Sequence, residues 1–166
     1  MLGASGSSTR TLAPPPPIKV LEALSAIADG RVKIIDEKRA RVSSSDGTRI
    51  YEIYLDLEQG LAYSTDNGTL LRGYVGYPLI AFMMLRGILP FDEEVAEKLS
   101  GIKWRELNEK YKRYYIVEKI VKEAYESRGG DLEALERLRR EAMLRIKSLK
   151  LRLAEKAPQE SAPGED

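Results

Sequence analysis

Apolar residues fall into distinct rhythms along this chain, and the rhythm changes twice. Ile18, Leu21, Leu24 and Ile27 step by three, which keeps them on one face of a helix that Asp29-Gly30 then stops. From Arg31 the pattern shortens to runs rich in Val, Ile and Tyr: RVKIID, RARVSS, TRIYEIYLD and GLAYST. Their partial alternation predicts strands, with Ser45-Asp46-Gly47, Gln59-Gly60 and Asp66-Asn67-Gly68 as turns between them. TLLRGYVGY offers one more strand. The result is a small antiparallel sheet over roughly residues 31–76, too small to stand without a neighbour.

After Pro78 the period is helical throughout. Pro78 suits a first helical turn, and Asp92 caps a second helix with Glu93 and Glu94 near its positive end, closed by Ser100-Gly101. A third helix is expected from Trp104 to Ser127, with the stripe Trp104, Leu107, Tyr111, Tyr114, Val117, Val121 and Ala124 or Tyr125. Gly129-Gly130 breaks it. Asp131 caps a fourth, reaching about Ala154, in which Leu132, Leu135, Leu138, Ala142, Ile146, Leu149 and Leu153 step by three or four. Two long helices joined by so short a loop are expected to pack antiparallel. The fold class is therefore α+β: a helix and small antiparallel β domain over 18–76, then an α-helical bundle domain over 77–155. Residues 1–17, Pro-rich, are expected to form a disordered arm and 156–166 a disordered tail.

The most apolar stretch is YPLIAFMMLRGILPFDEE, Tyr77 to Glu94. Arg86 and Gly87 interrupt it far short of the ~20 apolar residues that a membrane span needs. Residues 1–17 have no apolar core of the kind that a signal peptide carries. With no His and no Cys in the chain, zinc fingers, thiol nucleophiles and imidazole acid–base chemistry are excluded. The same composition, rich in Glu, Lys and Arg, fits a thermophile. Lys and Arg number 27 against 26 Asp and Glu, a balance that argues against coating nucleic acid or anionic lipid.

No constellation of catalytic, cofactor-binding or metal-ligating residues stands out. Asp92, Glu93 and Glu94 could hold a metal, but a helix start accounts for them as a cap and dipole complement. Ser43-Ser44-Ser45 has no base to activate it, and Gly73 and Gly76 belong to no phosphate-cradling pattern. Residues 131–157 carry eight basic and five acidic side chains, so Arg139, Arg140 and Lys147 are candidate nucleic-acid contacts on an otherwise solvated helix face. Tyr111, Tyr114 and Tyr115 could stack on bases or pack in a core or interface. Two long helices have more apolar surface than one antiparallel pair can cover. The excess predicts a subunit interface, with Phe82, Met83, Trp104, Tyr114, Tyr115, Leu138, Ile146 and Leu149 as its candidates.

The helical half resembles a known family. PLIAFMMLRGILPFDEEVAEKL is similar to the P-L-x-x-A-x-x-L-K helix and the following Pro-acidic segment of GINS subunits, in the class whose small β domain precedes the helices. RYYIVEKIVKEA resembles that class's Tyr-Tyr helix. LEALERLRREAMLRIKSLK resembles its last helix, with Glu141 followed by Arg145, Ile146, Leu149 and Lys150. The likeness spans about residues 18–153; Ile80 stands where the family often has an aromatic residue. It implies a non-catalytic subunit of an archaeal-type, heterotetrameric DNA replication complex. The implied partners are a second GINS subunit of α-first order, the MCM helicase and a RecJ-like or Cdc-type protein. It also implies a cytoplasmic, chromosome-associated location. The alternative is a small nucleic-acid-binding protein that uses the basic last helix.

Overall fold

Tyr77–Leu85 forms a helix that is apolar all the way round, and Pro78 through Met84 are all buried. Such a helix has no face to give to water and belongs at the centre of a core. In the computed structural model, which describes residues 10–155, it lies between another helix and a sheet. The elements run α1 (Ile18–Ala28), β1 (Val32–Ile34), β2 (Arg39–Ser43), β3 (Ile50–Asp56), β4 (Leu61–Ser64) and a short α2 (Asn67–Leu70). They continue with α3 (Tyr77–Leu85), α4 (Glu93–Glu97), α5 (Trp104–Tyr111), α6 (Tyr114–Ser127), α7 (Leu132–Leu149) and β5 (Arg152–Leu153). The chain is α+β.

The sheet order is β1-β2-β3-β4-β5. The first four strands form an antiparallel meander, with Ala40 opposite Ile53 and Leu55 opposite Ala62 on the core face. β5 returns from the far end of the chain and lies parallel to β4, pairing Arg152 with Leu61. Residues 10–12 pair in turn with the β5 segment, where Leu12 N donates to Leu151 O at 2.8 Å and Leu153 N to Arg10 O at 2.7 Å, and Ala13 pairs instead with Gly73 and Val75. The expected disordered arm is therefore corrected over 10–17, where Leu12 and Pro15 are buried; residues 1–9 and the tail 156–166 lie outside the described residues.

α1 packs against α3, α4 and α7, while α3 also meets β1, β3 and β4. One continuous core runs from Leu12 to Leu151, so the packing crosses the expected division between residues 76 and 77. Among the described residues no helix is long and apolar enough to cross a membrane.

Four local expectations change, the first being that TLLRGYVGY forms no named strand: Thr69 and Leu70 belong to α2 and Tyr74 makes only an isolated bridge to Ala13. The helix expected over 104–127 breaks at Lys112, whose φ of 57° is left-handed. After the break Val117, Val121 and Tyr125 are buried, as the stripe predicted, but Tyr114 falls off it and is exposed. The last helix stops at Leu149, with Lys150 at φ 49°, and the next residues join the sheet. Asp66-Asn67-Gly68 opens α2 instead of turning between strands, because the Asp66 carboxylate accepts from Thr69 N at 3.1 Å as a helix cap. The caps Asp92 and Asp131 and the antiparallel pair α6–α7 hold as expected: Glu118 meets Arg139 while Lys122 meets Glu136.

Candidate functional site

The turn between β2 and β3 is built around one carboxylate. Asp46 Oδ1 accepts from Ser44 Oγ at 2.8 Å, Thr48 Oγ1 at 2.7 Å and Thr48 N at 3.1 Å. The Thr48 contacts, above all, hold its pKa down at about 2. Gly47 turns the chain at φ 77°. Two contacts then pin this turn to the start of α5. Arg105 N donates to Ser45 Oγ at 3.1 Å, and Arg105 Nε lies 3.3 Å from Asp46 Oδ2.

Between that turn, α1, α5 and the loop after α2 lies a cleft of about 540 Å³. Its floor is an ion pair on α1: Lys19 Nζ stands 3.1 Å from Glu22 Oε1, and Glu22 is 4% exposed. Burial alone would lower the Lys19 pKa, yet the Glu22 carboxylate lifts it above the ordinary range. The same ammonium lies 5.4 Å from the centre of the Tyr114 ring. On one wall Arg31 donates to Ser43 O at 2.7 Å and Tyr77 Oη at 3.4 Å, and covers the Tyr77 ring at 5.9 Å. Tyr77 packs edge-on against Tyr51 at 6.2 Å, and burial pushes its phenol pKa well up.

The opposite wall depends on close backbone approach. A Cβ on Gly76 would sit 2.1 Å from Asp66 Oδ2, and one on Gly68 would sit 2.4 Å from the Tyr74 ring. These two glycines seat Asp66 and Tyr74 at the cleft edge. Two buried N–H donors of wall residues, Arg31 Nε and Trp104 Nε1, have no hydrogen-bond acceptor among the described residues. Arg31 Nε lies 3.7 Å from Asp29 Oδ2, too far for a hydrogen bond.

Six basic side chains line the cleft against three acidic ones. Lys19, Arg31 and Arg105 are held by ion pairs. Arg49, Arg72 and Lys112 make no ion pair and no side-chain hydrogen bond among the described residues. They converge from three separate elements and leave their charge open to a ligand. Beyond Tyr114 a second, more apolar groove of about 650 Å³ runs along α6, lined by Pro16, Pro17, Tyr115 and Lys119 among others.

The residues proposed from sequence are placed differently from one another. Phe82, Met83, Trp104, Leu138 and Ile146 are core, between 0 and 8% exposed. Their own chain covers them, which corrects their expected place at a subunit interface. Leu149 is half-buried. Tyr114 and Tyr115 are exposed, at 44% and 68%. Arg139 is not open to nucleic acid, since it is 8% exposed and bound to Glu118 and Glu136; Arg140 and Lys147 are exposed. Asp92 caps α4, accepting from Val95 N at 3.1 Å. The cleft went unseen because its residues are scattered over five segments. One signal was there to find: Lys19 and Glu22 stand three apart within an otherwise apolar helix.

A family model described as uncharacterised conserved protein UCP014422 matches residues 12–152. No curated protein and no solved structure matches the chain.

Proposed function

We propose that this chain, which belongs to the family of uncharacterised conserved protein UCP014422, acts by binding, and that its cleft holds an anionic, phosphate-bearing ligand. The observation that carries this reading is the convergence on one cleft of Arg49, Arg72 and Lys112, whose side chains make no ion pair or hydrogen bond among the described residues. Unpaired cations gathered around a concavity concentrate anions there. A volume of about 540 Å³ falls within the range of small-molecule sites. The absence of His and Cys from the chain fits binding better than acid–base or thiol chemistry.

The test is calorimetric titration with pyrophosphate, a nucleoside diphosphate and a short single-stranded oligonucleotide. Saturable binding that weakens with added salt, and that Arg49→Glu with Arg72→Glu abolishes at an unchanged melting temperature, supports the reading. Absence of saturable binding to all three ligands removes it. Trp104, the chain's single Trp, lines the cleft and gives an independent emission signal for pyrophosphate.

A second reading is the assembly role that the GINS resemblance implies, alongside an α-first subunit, the MCM helicase and a RecJ-like or Cdc-type partner. Adjacent exposed aromatics, Tyr114 and Tyr115 at the start of α6, support it, because paired aromatics of this kind anchor interfaces. The burial of Phe82, Met83, Trp104, Leu138 and Ile146 within the chain leaves it a smaller docking surface than the sequence implied. Co-expression with an α-first GINS subunit is the check. A joint complex disrupted by Tyr114→Ala with Tyr115→Ala supports it, and separate elution of the two chains counts against it.

A further inference from the structure

We infer that the ligand of this cleft is a nucleotide, a flat base with N–H donors joined to phosphate, and not a simple inorganic anion. The inference rests on the anion-cleft reading and goes on to name the class of ligand. The floor of the cleft is its first support. Glu22 is almost wholly buried in the fold, lines the cleft, and spends one carboxylate oxygen on Lys19 at 3.1 Å. In a site meant for a bare anion this carboxylate has no role beyond pairing Lys19, because a fully ionised anion brings no donor to its second oxygen. A ligand that brings an N–H donor turns the same carboxylate into a charge-assisted acceptor.

The walls supply the complement. Arg31 and Trp104 border the cleft, and their Nε and Nε1 atoms are buried with no acceptor among the described residues; a buried donor left unpaired is costly. Phosphate presents acceptors only. A nucleobase edge presents donors and acceptors side by side, which matches a lining that holds both the Glu22 carboxylate and N–H-bearing side chains. The lining is also aromatic: Tyr51, Tyr74, Tyr77, Trp104 and Tyr114 all border the cleft, and flat bases stack on such rings. The phosphate then falls to Arg49, Arg72 and Lys112, whose side chains are unpaired among the described residues. A free nucleotide and a nucleotide within a single strand share this chemistry.

Calorimetry on the full chain decides the matter by comparing pyrophosphate, ribose 5-phosphate, the common nucleoside diphosphates and a short single-stranded oligonucleotide. The expected result is that a nucleoside diphosphate or the oligonucleotide binds at least about tenfold tighter than pyrophosphate or ribose 5-phosphate, about 1.4 kcal/mol. Which of the two binds tighter identifies the source. Glu22→Gln is expected to shrink that preference to threefold or less, on the order of 0.6 kcal/mol. Pyrophosphate or ribose 5-phosphate binding as tightly as the nucleotides overturns the inference while leaving the anion cleft standing. Failure of every ligand to bind overturns both. The comparison among ligands needs only the unaltered protein, so it holds even if Glu22→Gln does not fold.

Discussion

Arg139 on α7 grips Glu118 on α6 through two parallel contacts, Nη1 to Oε1 at 2.9 Å and Nη2 to Oε2 at 2.8 Å. Glu136 and Lys122 complete a four-residue network that locks the two long helices in antiparallel register. A bidentate, largely buried pair of this kind is among the stronger ionic contacts. It also explains why the most basic helix of the chain has one of its central arginines turned inward.

Acid should therefore loosen the α6–α7 pair. The Arg139 hydrogen bonds hold the Glu118 carboxyl at about 2, below its ordinary value of 4.5. A carboxyl whose folded-state pKa is depressed contributes stability that is present above 4.5 and lost as pH falls towards 2. Urea denaturation across that window should show stability falling with pH, and Glu118→Gln should flatten the slope.

Removing one partner of the same pair is expected to be worse than removing both. Glu118→Gln leaves Arg139 charged and partly unpaired at the helix interface, whereas Glu118→Leu with Arg139→Leu restores apolar packing. We expect the double substitution to be at least as stable as the single one. A double substitution less stable than Glu118→Gln would show that the network itself, and not its disruption, dominates the energetics.

Gly130 is required by packing. A Cβ there would meet three atoms of the Tyr125 ring at 2.4 to 2.6 Å. Tyr125 is 1% exposed and its hydroxyl donates to Asp131 O at 2.9 Å. Gly130→Ala should therefore destabilise by about 1–3 kcal/mol, and Tyr125→Phe in the same background should not recover it. Chemical denaturation of the two variants measures this.

Trp104 separates a core residue from an interface anchor. At 2% exposure, Trp104→Ala should cost about 3–5 kcal/mol of folding stability. A variant that kept its stability but lost a partner would place Trp104 at an interface instead.

Lys150 gives a stabilising test. It sits exposed at φ 49° where α7 ends, in a region that L-residues enter at a cost and glycine does not. Lys150→Gly should raise stability by about 0.5–1 kcal/mol, read as a higher denaturation midpoint.

What the sequence determined by itself was local. The period of apolar positions and the caps at Asp92 and Asp131 located the helices, and the turn glycines Gly47 and Gly60 located the hairpins. Each is settled by residues within a few positions of one another. The charge balance and the lack of His and Cys likewise bounded the chemistry without any fold.

Tertiary structure decided the rest, because it turned on contacts between residues far apart in the chain. Nothing near Arg152 announces a strand; it becomes one because Leu61 and Arg10 offer edges to pair with. Nothing near Ile146 says that the chain can cover it, since its burial depends on distant elements such as α1, which packs against α7. Arg139 reads as a free cation until Glu118, 21 residues away, lies across from it. The cleft is the extreme case: Lys19, Arg49, Arg72 and Lys112 share no motif and meet only because one core draws their four segments together.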